Sequence, residues 1–533
     1  MGEPSASFDL SSAPWKDARV RTTLYVLGAL IGAWLSFLFV SCVRLDREVA
    51  VAPPAPSRSS ASIVAECAGA KDVAAALPVD INVEIYATRR LPVIARFVRR
   101  IEEELAPYRA VAGGRIHVMV ADTDDAAVLA RAREAGVDYI KVNEEGHVDW
   151  NTGKERAFLG VVFTYGKACQ TIESIDPDAP ANIGLAIYLR LRTLRDRAEM
   201  TTHRIGVLGG HGEPPLDEPI VPRALGGQSI ATQVAEALPT FRLVDVDLRK
   251  QAIIDPSLEG LIVLQPTRDL STEDLRAIDQ FVMRGRSLVV AASSVSLRGA
   301  DLGMMADLNA HGLEQLLHGY GIELARNVVI DRTHSFAPQE GEPRLPALIL
   351  AAEEPGASGG ESGLRTLSLP LWRTKRLALP FASSLTVVPS AQPDATLRVL
   401  ATSSSTAEVE TGSTYDLSPA RAWGPASKQR QVDLIASSEG KLTSAFGKEK
   451  AARPARVLAI ASAGVWRNPF GVRDEEGSAV APDARREKLD ALWSFYARAG
   501  LVNDALFFFR NTLFWMATDP LVLACTWALA ARP

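Results

Sequence analysis

Residues 204–217 read Arg-Ile-Gly-Val-Leu-Gly-Gly-His-Gly-Glu-Pro-Pro-Leu-Asp, and they hold the chain's strongest candidates for chemistry. His211 and Glu213 stand one residue apart, among Gly209, Gly210 and Gly212. An imidazole and a carboxylate at that spacing can serve as acid and base, or as two ligands of a metal, with His203 or Asp217 as a third. The same residues fit a plainer role. The glycines permit a tight turn, and His211 and Glu213 hydrogen-bond that turn or contact a ligand or partner. A second segment of the same kind, Leu264-Gln265-Pro266-Thr267, closes another apolar run, so Pro266 and Thr267 join the candidates for ligand or partner contact.

Other chemistries find no residues. The chain has no GxxxxGK[ST] loop to cradle phosphates. Its four cysteines, Cys42, Cys67, Cys169 and Cys525, form no CxxC pair, which speaks against a zinc site or a dithiol centre. A nucleophile elbow at Leu264–Thr267 would need a thiol with a histidine nearby, and none is there. Asp122-Thr-Asp124-Asp125 lacks the glycine and closing glutamate of a calcium loop, and suits a helix N-cap better. A net charge of -5 gives no basic face for nucleic acid. No cofactor is expected, no metal site is assigned beyond the weak donor pair His211 and Glu213, and no catalytic residue is named.

The elements that must position the loop follow from hydrophobic pattern. Ile205–Leu208 breaks into glycines as a buried parallel strand does at the carboxyl edge of an α/β sheet, where ligands usually bind. Strands at Phe241–Asp247, Leu258–Leu264 and Ser287–Ala291 follow, with helices at Ile230–Leu238 and from Leu270 onward. Ser271 or Thr272 caps that second helix, with acids in its first turn. The order β-α-β-β-α-β predicts a doubly wound parallel sheet over 201–335, then a β-rich, loop-rich insertion over 336–450. Residues 451–533 return a strand at Arg456–Ala461 and closing helices at Lys488–Arg498 and Ala505–Met516.

Residues 77–200 form an earlier α/β unit of order β-α-β-α-β-β-α, that of a thioredoxin-like domain. Where a thioredoxin carries its cysteines this chain reads Ala87-Thr-Arg-Arg-Leu-Pro92, so disulfide exchange is excluded. Thr22–Val43 is 22 residues without a charge, long enough to cross a bilayer of about 30 Å. It is read as an uncleaved anchor, with residues 1–21 as a cytoplasmic tail and the Ala/Pro/Ser-rich stretch within 44–76 as a flexible linker. Leu506–Ala531 is rich in Phe, Leu and Trp, but Arg510, Asn511, Asp519 and Pro520 interrupt it, so it is read as a buried helix rather than a second span.

The Gly-His-Gly-Glu strand-loop resembles that of the auxiliary subunits of gliding-motility-type ABC transporters, the GldG-like family. Further matches are Pro266-Thr267, the Leu270-Ser-x-x-Asp274-Leu helix start, Gly312-Leu with Asn327-Val-Val-Ile-Asp331, and Asn511-x-x-x-Trp515. Arg284-Gly-Arg286 departs from the usual Gly-Gly pair, and the family's common C-terminal membrane helix is not evident. The resemblance implies a single-pass protein of the bacterial inner membrane with a periplasmic ectodomain. Its partners would be an ABC permease and a cytoplasmic ATPase, and its role binding and coupling rather than catalysis. The rival reading is a membrane-tethered metal-dependent hydrolase using His211 and Glu213; a structural scaffold of an envelope complex is the third.

Overall fold

The computed structural model describes residues 68–149, 152–178, 183–219, 227–297, 305–336, 344–352, 363–365, 368–417, 421, 423–424, 428–466, 472–473, 479–480, 501–519 and 522–523. The tail, the anchor at 22–43 and the helix expected at 488–498 lie outside them. No helix among the described residues is long and apolar enough to cross a membrane.

The first α/β unit begins earlier than the sequence pattern suggested. Residues 68–75, expected to end the linker, form helix α1 (Ala68–Ala75), whose Ala70, Val73 and Ala74 are buried. Then come β1 (Ile81–Ala87), α2 (Pro92–Val111), β2 (Ile116–Asp122), α3 (Ala126–Glu134), β3 (Tyr139–Val142), β4 (Glu155–Tyr165), β5 (Ala168–Ile172) and α4 (Ile183–Ala198). The four-residue β3 is an addition that was too short to read by periodicity. Sheet order is β2-β1-β4-β3, with β5 also on β4; β1 and β2 run parallel and β4 antiparallel to β1 and β5. Asp125 caps α3, accepting from the backbone N–H of Ala127 and Val128, as expected of the Asp-Thr-Asp-Asp run.

The second unit opens with β6 (His203–Gly209), α5 (Ile230–Ala237), β7 (Phe241–Asp247), β8 (Gly260–Leu264), α6 (Thr272–Met283) and β9 (Ser287–Ala291). Short strands follow at β10 (Val295–Leu297) and β11 (Met305–Leu308), then α7 (Leu313–Gly319), β12 (Ile322–Leu324), β13 (Val328–Ile330) and β14 (Ser335–Phe336). The chain continues through β15 (Leu345–Ala352), β16 (Arg376–Pro380), β17 (Leu385–Val387), β18 (Ala395–Thr402), β19 (Glu408–Glu410) and β20 (Thr414–Asp416). It ends with β21 (Asp433–Gly440), β22 (Ala455–Ile460) and α8 (Leu501–Ala517).

The main sheet is mixed, which corrects the expectation of a purely parallel one. Its order is β12-β17-β21-β22-β9-β8-β6-β7, with β18 also on β21. β7, β6, β8, β9 and β22 are parallel; β21 runs antiparallel to β22, and β17 and β18 antiparallel to β21. The segment read as an insertion thus supplies three strands to the sheet itself. Local pattern shows that a strand exists but not which neighbour it takes, and β17 and β21 pair across the sequence.

β8, β9 and β22 are buried along their whole length, as strands covered on both faces must be. Alternate residues feed two cores. Leu261, Val263, Leu288 and Val290 pack with Leu275, Ile278, Phe281 and Val282 of α6 and with Leu313, Leu316 and Leu317 of α7. Ile262, Leu264, Val289 and Ile460 face the other way, into one continuous cluster with Phe508, Phe509, Leu513 and Trp515 of α8 and with α4 of the first unit. The described part of the C-terminal aromatic run up to Ala517 is therefore an interior helix.

Asp504, in the first turn of α8, accepts from the backbone N–H of Arg376. Burial pushes its carboxyl up to about 6 despite that bond. Because the folded-state value lies above the unfolded one, near 3.8, the associated stability is fully present below about 3.8 and is lost as pH rises through 6. Asp504→Asn keeps an accepting oxygen without the charge. It is expected to exceed the parent protein in stability by about 2–3 kcal/mol at pH 8 and to lose most of that advantage by pH 4. Thermal unfolding at the two pH values checks this, and an equal gain at both would refute it.

Candidate functional site

β6 ends at the carboxyl edge of the sheet, and the loop after it folds back on itself. Gly210 and Gly212 hold φ of +109° and +81°, conformations that favour glycine. Between them His211 is 6% exposed. Its backbone N–H donates to Glu213 Oε2 at 2.6 Å, and its Nδ1 lies 3.2 Å from Glu213 Oε1. Its Nε2 lies 3.2 Å from Asp274 Oδ2. The Glu213 side chain is 1% exposed, so the pair points inward.

Asp274 is the third position of the α6 capping box: Ser271 Oγ accepts from the Asp274 N–H, and Asp274 Oδ2 accepts from the Ser271 N–H at 3.0 Å. The sequence pattern left the cap between Ser271 and Thr272, and the structure makes it Ser271; that the box's carboxylate also faces an imidazole 63 residues away gave no sign in the sequence. The next strand end completes the brace. The backbone N–H groups of Thr267 and Arg268 both donate to the His211 carbonyl, at 2.9 and 3.0 Å. Three elements, the ends of β6 and β8 and the start of α6, are thus tied through one histidine.

The structure brings together Gly209, Gly210, His211, Gly212, Glu213, Pro266 and Thr267 as one edge. His203, considered as a third metal ligand, is not among them. It opens β6 at the opposite end of the strand, six residues and about 20 Å from Gly209 at the usual rise per residue. Asp217 is exposed. Among the described residues no group of three His, Cys, Asp or Glu is arranged to hold a metal. Both ring nitrogens of His211 already face carboxylates of this chain. Pro266 is buried, whereas Thr267, Arg268 and Asp269 are exposed and form the outward face of the edge.

Two flanking groups were not legible beforehand. Asp247, at the end of β7, binds Arg249 through both oxygens and Lys250 at 3.2 Å; the Arg249 guanidinium holds its carboxyl well below the usual range. On the other side His311 Nδ1 lies 2.8 Å from Asp269 Oδ1, and the Leu270 N–H donates to the His311 carbonyl. Hydrogen bonds from His311 and Asn309 lower the Asp269 carboxyl. Sequence spacing gives no signal for the His311–Asp269 pair, whose members stand 42 residues apart, whereas the Asp247 group is local, with Arg249 two residues on and Lys250 three.

The remaining motif residues act as brackets. Asn327 uses both ends of its amide on Ser384, and Asp331 accepts from the N–H groups of Thr333, His334 and Ser404. Asn511 donates to the Trp372 carbonyl from within α8.

Comparison with known proteins places this architecture. No curated protein matches the chain. Among solved structures, the mmIFT52 N-terminal domain superposes with a TM-score of 0.29 at 10% identity, over 56% of this chain and 97% of that one, too low to bear on the fold. The profile of the auxiliary family described as "ABC-type uncharacterized transport system" matches residues 202–483, more than half of the 533-residue chain and the second unit from β6 through β22. The chain belongs to that family of ABC-type transport system auxiliary components.

Proposed function

We propose that the protein is a membrane-anchored, non-catalytic accessory subunit of an ABC-type transport system, of the GldG-like kind, with its ectodomain on the periplasmic side of a bacterial inner membrane. Family membership over residues 202–483 supports the transport role. The observation that carries the non-catalytic reading is the inward turn of His211 and Glu213, each held by partners in the same chain. An imidazole braced between two carboxylates, under a glycine turn, is built to fix a loop. The loop in turn presents Thr267, Arg268 and Asp269 to a ligand or partner. The first unit, with strand order β2-β1-β4-β3, β5 also on β4, and one parallel pair, supports a thioredoxin-like assignment. Its Ala87–Pro92 turn has no thiol, so it serves as a spacer or binding module. The uncharged run at 22–43 supports the anchor, and the resemblance supports an ABC permease and a cytoplasmic ATPase as partners, with gliding motility among the processes served.

The test is affinity purification of the full-length chain in mild detergent, beside a control lacking residues 1–47. An ABC permease and ATPase are expected with the intact chain. Their absence, under conditions that preserve other membrane complexes, would overturn the reading.

A further inference from the structure

We propose that His203 is a proton-operated latch that fastens the first α/β unit to the second. His203 is the first residue of β6, just past the short connection 199–202 that follows α4. Its ring is 7% exposed and reaches across that connection in both directions. Nδ1 lies 2.9 and 3.0 Å from the two carboxylate oxygens of Glu259, which immediately precedes β8 in the second unit. Nε2 lies 3.0 Å from Asp196 Oδ2 on α4, in the first unit.

The same Nε2 has a second neighbour of opposite chemistry. Arg192 NH2, one turn back on α4, is 3.3 Å away. A protonated ring donates from both nitrogens, to Glu259 and to Asp196, and so bridges two carboxylates from two units. A neutral ring that keeps its proton on Nδ1 can only accept at Nε2, from Arg192, and its bond to Asp196 is gone. A neutral ring with its proton on Nε2 instead keeps Asp196 and loses Glu259, so only the protonated ring bonds both carboxylates at once.

The surroundings bias the choice. Burial works against the charged ring, but the bonds to Asp196 and Glu259 outweigh it and raise the His203 pKa above 6.5. Arg192 opposes them; it pairs with the same Asp196 Oδ2 at 3.4 Å and also binds Thr518 Oγ1 at 2.7 Å and the Ala517 carbonyl at 2.9 Å. Arg195 binds the other oxygen of Asp196 at 2.6 Å. Arg456, Asp519 and Tyr188 act on the cluster from farther off, and the Phe241 ring covers the imidazole at 4.9 Å between centroids. Stability supplied by the latch is complete below about 6.5 and is lost as pH rises through the raised folded-state value.

The test is hydrogen exchange of the full-length protein in detergent between pH 5.5 and 9, corrected for the chemical exchange rate. Peptides spanning 183–203 are expected to lose protection severalfold across that range. Peptides from α6 should not follow. His203→Gln, neutral throughout, is expected to lack the step. Glu259→Gln, at a partly exposed site, should fold and move the midpoint down. An Asp504→Asn background should leave the step intact. A step that persists in His203→Gln, no step in the parent protein, or an unmoved midpoint in Glu259→Gln would each overturn the proposal.

Discussion

Gly212→Ala is expected to lower the stability of the folded protein by about 2–4 kcal/mol, the sum of a left-handed backbone penalty and overpacking at one site. The φ of +81° is the first cause. The second is space: a Cβ on residue 212 would stand 1.9 Å from Thr267 Oγ1 and 3.2 Å from Thr267 Cβ. Rotating the threonine relieves only the first contact, since Cβ is fixed by the backbone that donates to the His211 carbonyl. The clash therefore pushes directly on the bond that ties the end of β8 to the β6 loop. Thr267→Ala alone, at an exposed side chain, should cost about 0.5 kcal/mol or less. The double variant should recover about 1 kcal/mol of the Gly212→Ala loss, a coupling measurable by a double-mutant cycle in denaturant. A Gly212→Ala protein within 0.5 kcal/mol of the parent would show that this turn is not the brace described above. If partners are lost at temperatures where the variant remains folded, the same substitution also locates the contact at this edge.

Pattern-based reading was sound where the structure is local and periodic. The strands of the parallel half were legible because buried strands read as apolar runs, and α6 because Ser271, Asp274 and the Leu275–Ile278–Phe281–Val282 spacing all agree. The carboxyl-edge loop was legible because glycines must punctuate a strand end. Three things were not. The mixed character of the sheet depends on β17, β18 and β21 choosing edges far along the chain, for which alternating residues carry no address. The link from Asp274 to His211 requires knowing that α6 starts beside the β6 loop. His203 resembled a third ligand by proximity in sequence, yet seven strand residues carry it to the other end of the sheet. Proximity along a strand is distance in space, because an extended chain gains about 3.3 Å per residue.

Arg456→Met is expected to cost about 3–5 kcal/mol, because it removes a buried guanidinium bonded to the end of α8 and leaves buried acceptors behind. Arg456 is 8% exposed. One of its terminal nitrogens donates to the Trp515 carbonyl and the other to the Thr518 carbonyl at 2.6 Å. Trp515 is in the last turn of α8 and Thr518 lies just past its end, where carbonyls lack intrahelical partners and positive charge is favoured. Burial lowers the guanidinium to about 10, which still leaves it charged at neutral pH. Arg192 serves the neighbouring Ala517 carbonyl from the first unit, so two arginines from two units close one helix end. Arg456→Lys retains charge but not the fork, and should fall between the parent protein and Arg456→Met. The measurement is denaturant unfolding of the full-length protein, and a loss under 1 kcal/mol for Arg456→Met would refute the account. It also bears on the C-terminal aromatic run. A helix whose end is fixed by buried cations from the sheet and the first unit owes its Phe, Leu and Trp content to that interior. The same residues in a lipid-facing helix would leave Arg456 with no role in folding, and its replacement by an apolar side chain would then be nearly neutral.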